Sequence, residues 1–368
     1  MVNKITPWEV EGEVDYEKLV KEFGVSQLKE LPKEFEKELI FRRKVVFAHR
    51  DIQRILEAKK NKSPFVMMTG LMPTGRFHIG HALIARQMVF WQKLGAKIYV
   101  AVADIEAYLT RNQSLEDSRR IALNEYVKNY IALGLNKKNL DIYFQSSRSS
   151  SAKKSNAYYR LQNILAKHVT FNEFKGVYGE ITPGKMLSSL LQASDMLHPQ
   201  LPEFENLLPV VVPVGIDQDP HLRLARDISK RVKEIKFIQI SSTYNVFMPG
   251  LSGGKMSSSD PNSFIAMTDT KNEVENKIKR YAFSGGKETL YEHKKSGGNP
   301  DVDVSFQYLK MFFEEDDKKL EIIYNNYKSG KMSTKELKDY AIKKINAFLE
   351  KHQKNLKKTE KMAGSFVN

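Results

Sequence analysis

The chain has 368 residues, 59 Lys+Arg against 44 Asp+Glu for a formal net charge of +15, and no cysteine. Without cysteine, disulfides, thiolate zinc sites, cysteine-ligated iron–sulfur clusters and a cysteine nucleophile are excluded, which leaves chemistry to His, Lys, Asp, Glu, hydroxyls and backbone dipoles. The length suggests two or three domains, an apolar fraction of 41% supports sizeable cores, and the positive surplus fits either a polyanionic partner or a lysine-rich solubilising surface.

No run of eighteen apolar residues appears, and the opening MVNKITPWEVEGEVDY is too charged for a secretory signal. The expectation is a soluble cytoplasmic protein with no membrane partner. Along the chain, residues 5–16 alternate apolar and polar and suggest a small hairpin; 16–23 and 31–59 read as helices. The run Phe65-Val66-Met67-Met68, closed by Thr69-Gly70, reads as a buried strand. A helical period over 78–94, a strand over 97–103, a helix over 115–133 and a strand over 141–145 follow. This alternation marks a parallel sheet with helices on both faces. Residues 158–204 read as mostly helical, 210–214 (VVVPV) as a strand, 221–232 as a helix, and 236–241 as a last strand. After a Gly/Ser/Lys loop at 249–261 come helices over 272–283, 304–314, 318–327 and 334–356. The basic run 351–358 fits a solvated helix end or a phosphate contact.

Two segments carry chemistry. Residues 69–81, TGLMPTGRFHIGH, join the first buried strand to its helix. That is where helix N-terminal amides receive phosphates. Gly70 and Gly75 allow close approach of a ligand to the backbone. His78 and His81 lie three apart on one helix face, and Gly80 leaves room for a purine; Thr74 can hydrogen-bond a phosphate. Two surface histidines near a helix cap are the plainer account. The second segment is 253–260, GGKMSSSD. Its lysine and hydroxyls in a glycine-hinged loop can close over a polyphosphate; alone, it would be a polar surface loop.

Together, HIGH at 78–81 and KMSSS at 255–259 resemble the two signatures of class I aminoacyl-tRNA synthetases. The loop departs from the fuller KMSKS form: Ser258 replaces the second lysine, as in the archaeal/eukaryotic tyrosine and tryptophan branch, and Lys255 is the principal loop cation. Further stretches are similar to tryptophanyl-tRNA synthetases of archaeal/eukaryotic type: TPWEVEGEVDYEKLVKEFG, HVTFNEFKGVYGE, GIDQDPHLRLARD, KMSSSDPNSFIAMTDT, YAFSGGKET and GGNPDVDVSFQYLKMFFEEDD. The resemblance spans nearly the whole chain.

It implies an α/β, Rossmann-like parallel sheet and a helical C-terminal domain. The implied division is an N-terminal extension at 1–62, a catalytic domain with a helical insertion at 63–260, and a helical anticodon-binding domain at 261–368. The implied reaction activates L-tryptophan with ATP and transfers it to the 3′ end of tRNA(Trp), in a homodimer. An interface at 158–169 and magnesium carried by ATP are further expectations, with no protein-bound metal. The resemblance assigns Lys255, His78, His81, Ser257 and Ser258 to catalysis. It assigns Gly70, Thr74, His78, Gly80, His81, Gly215, Asp217, Met248, Lys255 and Met256 to ATP, with Asp217 accepting from the ribose and the backbone of 246–248 meeting the adenine edge. Met68, Glu106, Gln192, Asp195 and Gln218 are assigned to tryptophan, with Glu106 and Gln192 on its ammonium.

The chain also departs from the family pattern. Met68 stands where tyrosine enzymes and eukaryotic tryptophan enzymes carry a tyrosine, and Ala101 where the latter carry a glutamine. Asp195 replaces a proline and resembles the acid of bacterial tryptophan enzymes, so the expectation is a hybrid in which Asp195 accepts the indole N–H. Ala107 replaces a lysine. Tyrosine specificity, a small nucleotidylyltransferase and a catalytically silent RNA-binding paralogue remain the alternatives. At residue level the alternatives are Asp195 as a helix-surface carboxylate, Glu106 as a helix N-terminal charge, and Asp217 or Asp219 as a strand-to-helix cap.

Overall fold

The structure, a computed structural model, describes residues 16–29, 31–254, 256, 260–359 and 362–367. The expected hairpin lies outside them except for Tyr16, which begins the helix Tyr16–Phe23. Seven strands form one sheet: β1 (Ser26–Gln27), β2 (Val46–Arg50), β3 (Val66–Leu71), β4 (Lys97–Val102), β5 (Leu140–Phe144), β6 (Val210–Gly215) and β7 (Ser241–Asn245). Their order is β1-β2-β7-β6-β3-β4-β5. β3, β4, β5, β6 and β7 run parallel, while β1–β2 and β2–β7 are antiparallel.

The chain winds outward from β3 through β4 to β5, then returns to β6 on the other side of β3. That reversal opens a crevice beyond the carboxyl ends of β3 and β6. The central strands read as apolar runs because both faces are covered. Met67 and Leu71 of β3, with Ile98, Val100 and Val102 of β4, face a core holding Trp91, Phe35, Phe41 and Phe90. Val66 and Met68, with Tyr99 and Ala101, face the opposite core with Tyr143, Tyr158 and Leu161. Side chains alternate faces along each strand.

Two expected elements are corrected. Residues 31–59 are not one helix: short turns Lys33–Glu36 and Leu39–Arg42 precede β2, and the helix Gln53–Lys60 follows it. Lys44 and Asp51 bracket β2 with φ of 54° each. This left-handed conformation breaks a helix; Asp51 is of a type that tolerates it, but Lys44 gives no such sign in sequence. The last strand is Ser241–Asn245, not 236–241. Its residues are polar yet buried, and most find partners: Ser241 Oγ donates to Asp51 O at 2.7 Å, Ser242 Oγ to the Tyr244 hydroxyl at 2.8 Å, and Gln87 Nε2 to Asn245 Oδ1 at 3.3 Å, while Thr243 Oγ1 has none. The helix Leu290–Ser296 was not expected, and Glu106 does lie in the first turn of a helix, Asp104–Arg111. The expected helix over 115–133 exists, with a π-helical stretch Ala122–Val127 inside it.

Residues of the expected N-terminal extension thus supply two strands of the sheet. The helical C-terminal part also shares a core with the sheet half, since Phe312, Tyr327, Leu337 and Ile345 belong to the same cluster as Phe35 and Trp91. Within the stretch 158–169, Tyr158, Leu161 and Leu165 are buried in the chain's own core, so only the other face of that segment is open to an interface. The exposed large apolar groups nearby are Phe171 and Leu187.

Candidate active site

β3 ends at Leu71, and the turn after it leads into the helix Ile79–Lys93. His78 is the N-cap of that helix; its Nδ1 accepts the Gly80 N–H at 3.1 Å. His81 Nδ1 accepts the His78 N–H at 3.3 Å. The two imidazoles stack, centroids 3.7 Å apart at 26°. Burial lowers His78 to about 4 and, with the neighbouring ring, holds His81 well below the usual histidine range. Both are therefore neutral at pH 7 with the proton on Nε2, which in His81 lies 3.5 Å from the Tyr126 hydroxyl. Gly80 keeps this corner open: a Cβ would press on the His78 ring at 3.0–3.1 Å and on Met256 Sδ at 3.2 Å, so both side chains would have to give way. The turn itself is held by the π-helical stretch, where the Tyr126 hydroxyl donates to Thr74 O at 2.7 Å and Glu125 accepts the Phe77 N–H at 3.2 Å.

Beyond the carboxyl ends of β3 and β6 lies a cavity of about 380 Å³. Met68, Gly70, Thr74, Glu106, Gln192, Asp195, Gly215 and Gln218 all line it, so eight residues chosen from sequence converge. His78, Gly80 and His81 stand beside the cavity rather than in its lining, which reaches that helix at Ile84. Asp217 is buried next to Gly215: a Cβ on Gly215 would come within 2.5 Å of Asp217 Oδ1. Met248 is buried in the core. The Val246 N–H is already engaged, donating to Val45 O at 2.8 Å, while its carbonyl accepts Asn245 Nδ2 at 3.1 Å and keeps a second acceptor position. Lys255, Ser257 and Ser258 lie outside the described residues. Met256 between them packs on the core beside Gly80.

The cavity has two polar poles. At one, Gln192 Nε2 donates to Glu106 Oε2 at 2.6 Å. Burial pushes the Glu106 carboxyl up to about 7; the Gln192 hydrogen bond opposes this and the Asp195 charge adds to it. At the other, Asp195 Oδ1 accepts the Tyr143 hydroxyl at 2.7 Å and the Tyr158 hydroxyl at 2.5 Å, while Oδ2 accepts Gln145 Nε2 at 2.7 Å. Burial raises Asp195 to about 6 against the pull of these three donors. It is no helix-surface carboxylate. Gln145 links the poles, because its Oε1 accepts the Glu106 N–H at 3.3 Å.

A buried cation braces this pole. Arg148, 1% exposed, pairs with Asp141 at 2.8 Å and lies 3.9 Å over the Tyr143 ring. Its Nε donates to His198 Nε2 at 2.9 Å. Arginine only donates, so the His198 proton sits on Nδ1, which faces the carbonyls of Ser194 and Asp195 at 3.0 Å each. Sequence reasoning missed Gln145, Tyr143, Tyr158, Arg148 and His198. Only the strand pattern of 141–145, with its alternating faces, hinted at the first two.

A family model described as tRNA synthetases class I (W and Y) matches residues 59–350, and the chain belongs to that family. A tryptophan–tRNA ligase of Methanocaldococcus jannaschii is 42% identical over 355 residues, 94% of this chain and 93% of that protein. The crystal structure of tryptophanyl-tRNA synthetase from the hyperthermophilic archaeon Aeropyrum pernix K1 matches with TM-score 0.90 and 40% identity, covering 96% of each chain. A tryptophanyl-tRNA synthetase from Encephalitozoon cuniculi, solved bound to tryptophan, matches with TM-score 0.83 and 29% identity, over 97% of this chain and 98% of that one.

Proposed function

We propose that the chain is a tryptophan–tRNA ligase that activates L-tryptophan with magnesium-ATP and transfers it to the 3′ end of tRNA(Trp), acting as a cytoplasmic homodimer. The observation that carries this reading is the two-pole cavity. One end offers the Glu106–Gln192 pair to an ammonium; the other offers acceptors on Asp195, flanked by the apolar walls Met68 and Met196. An indole N–H is a donor only, and an acceptor between methionines suits it. The relatives' names point the same way.

The tryptophan carboxylate is already a nucleophile, so the first step needs no general base. It attacks the α-phosphorus of ATP in line, forming the carboxyl–phosphorus bond as pyrophosphate leaves. His78 and His81 would donate to phosphate oxygens from the helix N-terminus, and Lys255 with the hydroxyls of Ser257 and Ser258 would stabilise the developing charge. Gly70, Thr74, Gly80 and Met256 would border the nucleotide, Gly215 and Asp217 would meet the ribose, and Gln218 would face the amino acid. In the second step a hydroxyl of the tRNA's terminal adenosine attacks the adenylate and AMP leaves. We place the anticodon contacts in the helical part at 261–368.

ATP–pyrophosphate exchange with each amino acid in turn tests the reading. Exchange with tryptophan alone is expected; exchange with tyrosine alone, or with none while tRNA still binds, would overturn it. Lys255→Ala is expected to slow exchange by orders of magnitude with little change in tryptophan binding. Equal losses in both would remove Lys255 from catalysis.

A further inference from the structure

One buried group on the cavity wall has no role in the scheme above. His221 lies in the first turn of the helix Asp219–Arg231 and lines the cavity near Gln218. It is 4% exposed, and its Nδ1 is buried without a hydrogen-bond partner. Burial alone lowers the imidazole to about 4, with no hydrogen bond contributing, so the ring is neutral at pH 7. Tyr178 fixes it edge-on, centroids 5.3 Å apart at 82°.

A neutral imidazole carries one proton. A buried N–H without an acceptor is rarer than an unfilled lone pair, which places the proton on Nε2. With Nδ1 sealed in, Nε2 is the nitrogen left for the cavity. The ring stands in the amide end of a helix of 13 residues, where unpaired N–H groups favour an anion. The acid in that turn, Asp219, is neutralised by Arg50 at 3.0 Å and Arg223 at 3.1 Å.

Glu106 and Gln192 account for an ammonium and Asp195 for an indole N–H, but the reacting carboxylate has no partner among them. Ala107, next to the ammonium-pole acid, is buried and uncharged. Among the described lining residues Arg111 is the one cation. We propose that His221 Nε2–H, backed by the amide end of its helix, donates to the α-carboxylate of the bound amino acid and orients it for attack on ATP. A neutral donor holds a carboxylate without drawing off the charge that makes it nucleophilic. This rests on the tryptophan reading above.

The test is equilibrium binding to the full-length chain without ATP, using tryptophan, indole-3-propionate (carboxylate, no ammonium) and tryptamine (ammonium, no carboxylate). His221→Phe keeps the ring and removes the donor; His221→Gln keeps a donor. The Phe variant is expected to weaken tryptophan and indole-3-propionate roughly tenfold, the worth of one hydrogen bond to a charged group, and to leave tryptamine unchanged. The Gln variant should recover part of the loss. If tryptamine weakens equally, the role is structural and the proposal falls. A rise in KM for ATP with tryptophan binding unchanged would move the donor to the nucleotide and also overturn it. If the Phe variant fails to fold, the Gln variant decides: indole-3-propionate and tryptamine weakened alike would overturn the proposal. Wild-type protein that binds no tryptophan would sink the parent reading before any substitution is made.

Discussion

A carboxylate has about four acceptor positions, and Asp195 already fills three from Tyr143, Tyr158 and Gln145. One remains for a ligand, which turns a flexible acid into a fixed, directional acceptor. Asp195→Ala is expected to lower kcat/KM for tryptophan at least roughly tenfold and to destabilise the fold by more than the about 1–3 kcal/mol of one stranded donor, because three buried donors lose their partner. Asp195→Asn should lower kcat/KM as well; kinetics unchanged in both variants would remove Asp195 from recognition. Glu106 sets a pH dependence. Its carboxyl titrates near 7 in the ligand-free protein, and only the ionised form pairs with an ammonium. So kcat/KM for tryptophan should rise roughly tenfold from pH 6 to pH 8, and Glu106→Gln should flatten that rise. The sign for stability is opposite. The folded state holds the Glu106 proton more tightly than the unfolded chain, so ligand-free stability falls between the ordinary 4.5 and about 7.

At the scale of elements, the turn between β3 and its helix is positioned from three sides: the capping histidine, the π-helical stretch beneath it, and Met256 above Gly80. Gly80→Ala inserts a methyl against His78 and Met256. It should raise KM for ATP on the order of tenfold with tryptophan binding intact, as read by exchange kinetics at varied ATP. Elements were legible where one physical rule sufficed. β3, β4 and β6 declare themselves as apolar runs because they are buried on both faces. β7 does not, since the polar run SSTYN is buried through tertiary packing and scattered hydrogen bonds, and β2 hides between two non-glycine residues in left-handed backbone. The site divides in the same way. Local motifs gave the histidines and the glycine turn. The pole around Asp195 draws on residues 37 to 52 positions away, a convergence that spacing does not encode.

For the whole molecule, the helix Thr334–Thr359 reaches back across the sheet half. His352 lies 2.6 Å from Asn129 Oδ1, Asn355 donates to Ala132 O at 3.3 Å, and Gln353 donates to the carbonyls of Met267 and Asp269. With one core running through both parts, calorimetry is expected to show a single unfolding transition, and two resolved transitions would contradict a shared core. If tRNA is the partner of the +15 chain, its affinity should fall steeply and log-linearly with salt. A flat salt response would assign the lysines to solubility instead. The sheet's margins carry a last consequence. At one side β1 is only two residues long; at the other, Val367 bridges Ile142 of β5. Among the described residues, one margin is thus very short and the other is partly covered, which makes each a poorer template for a foreign backbone. Strand exchange at either margin is thereby disfavoured.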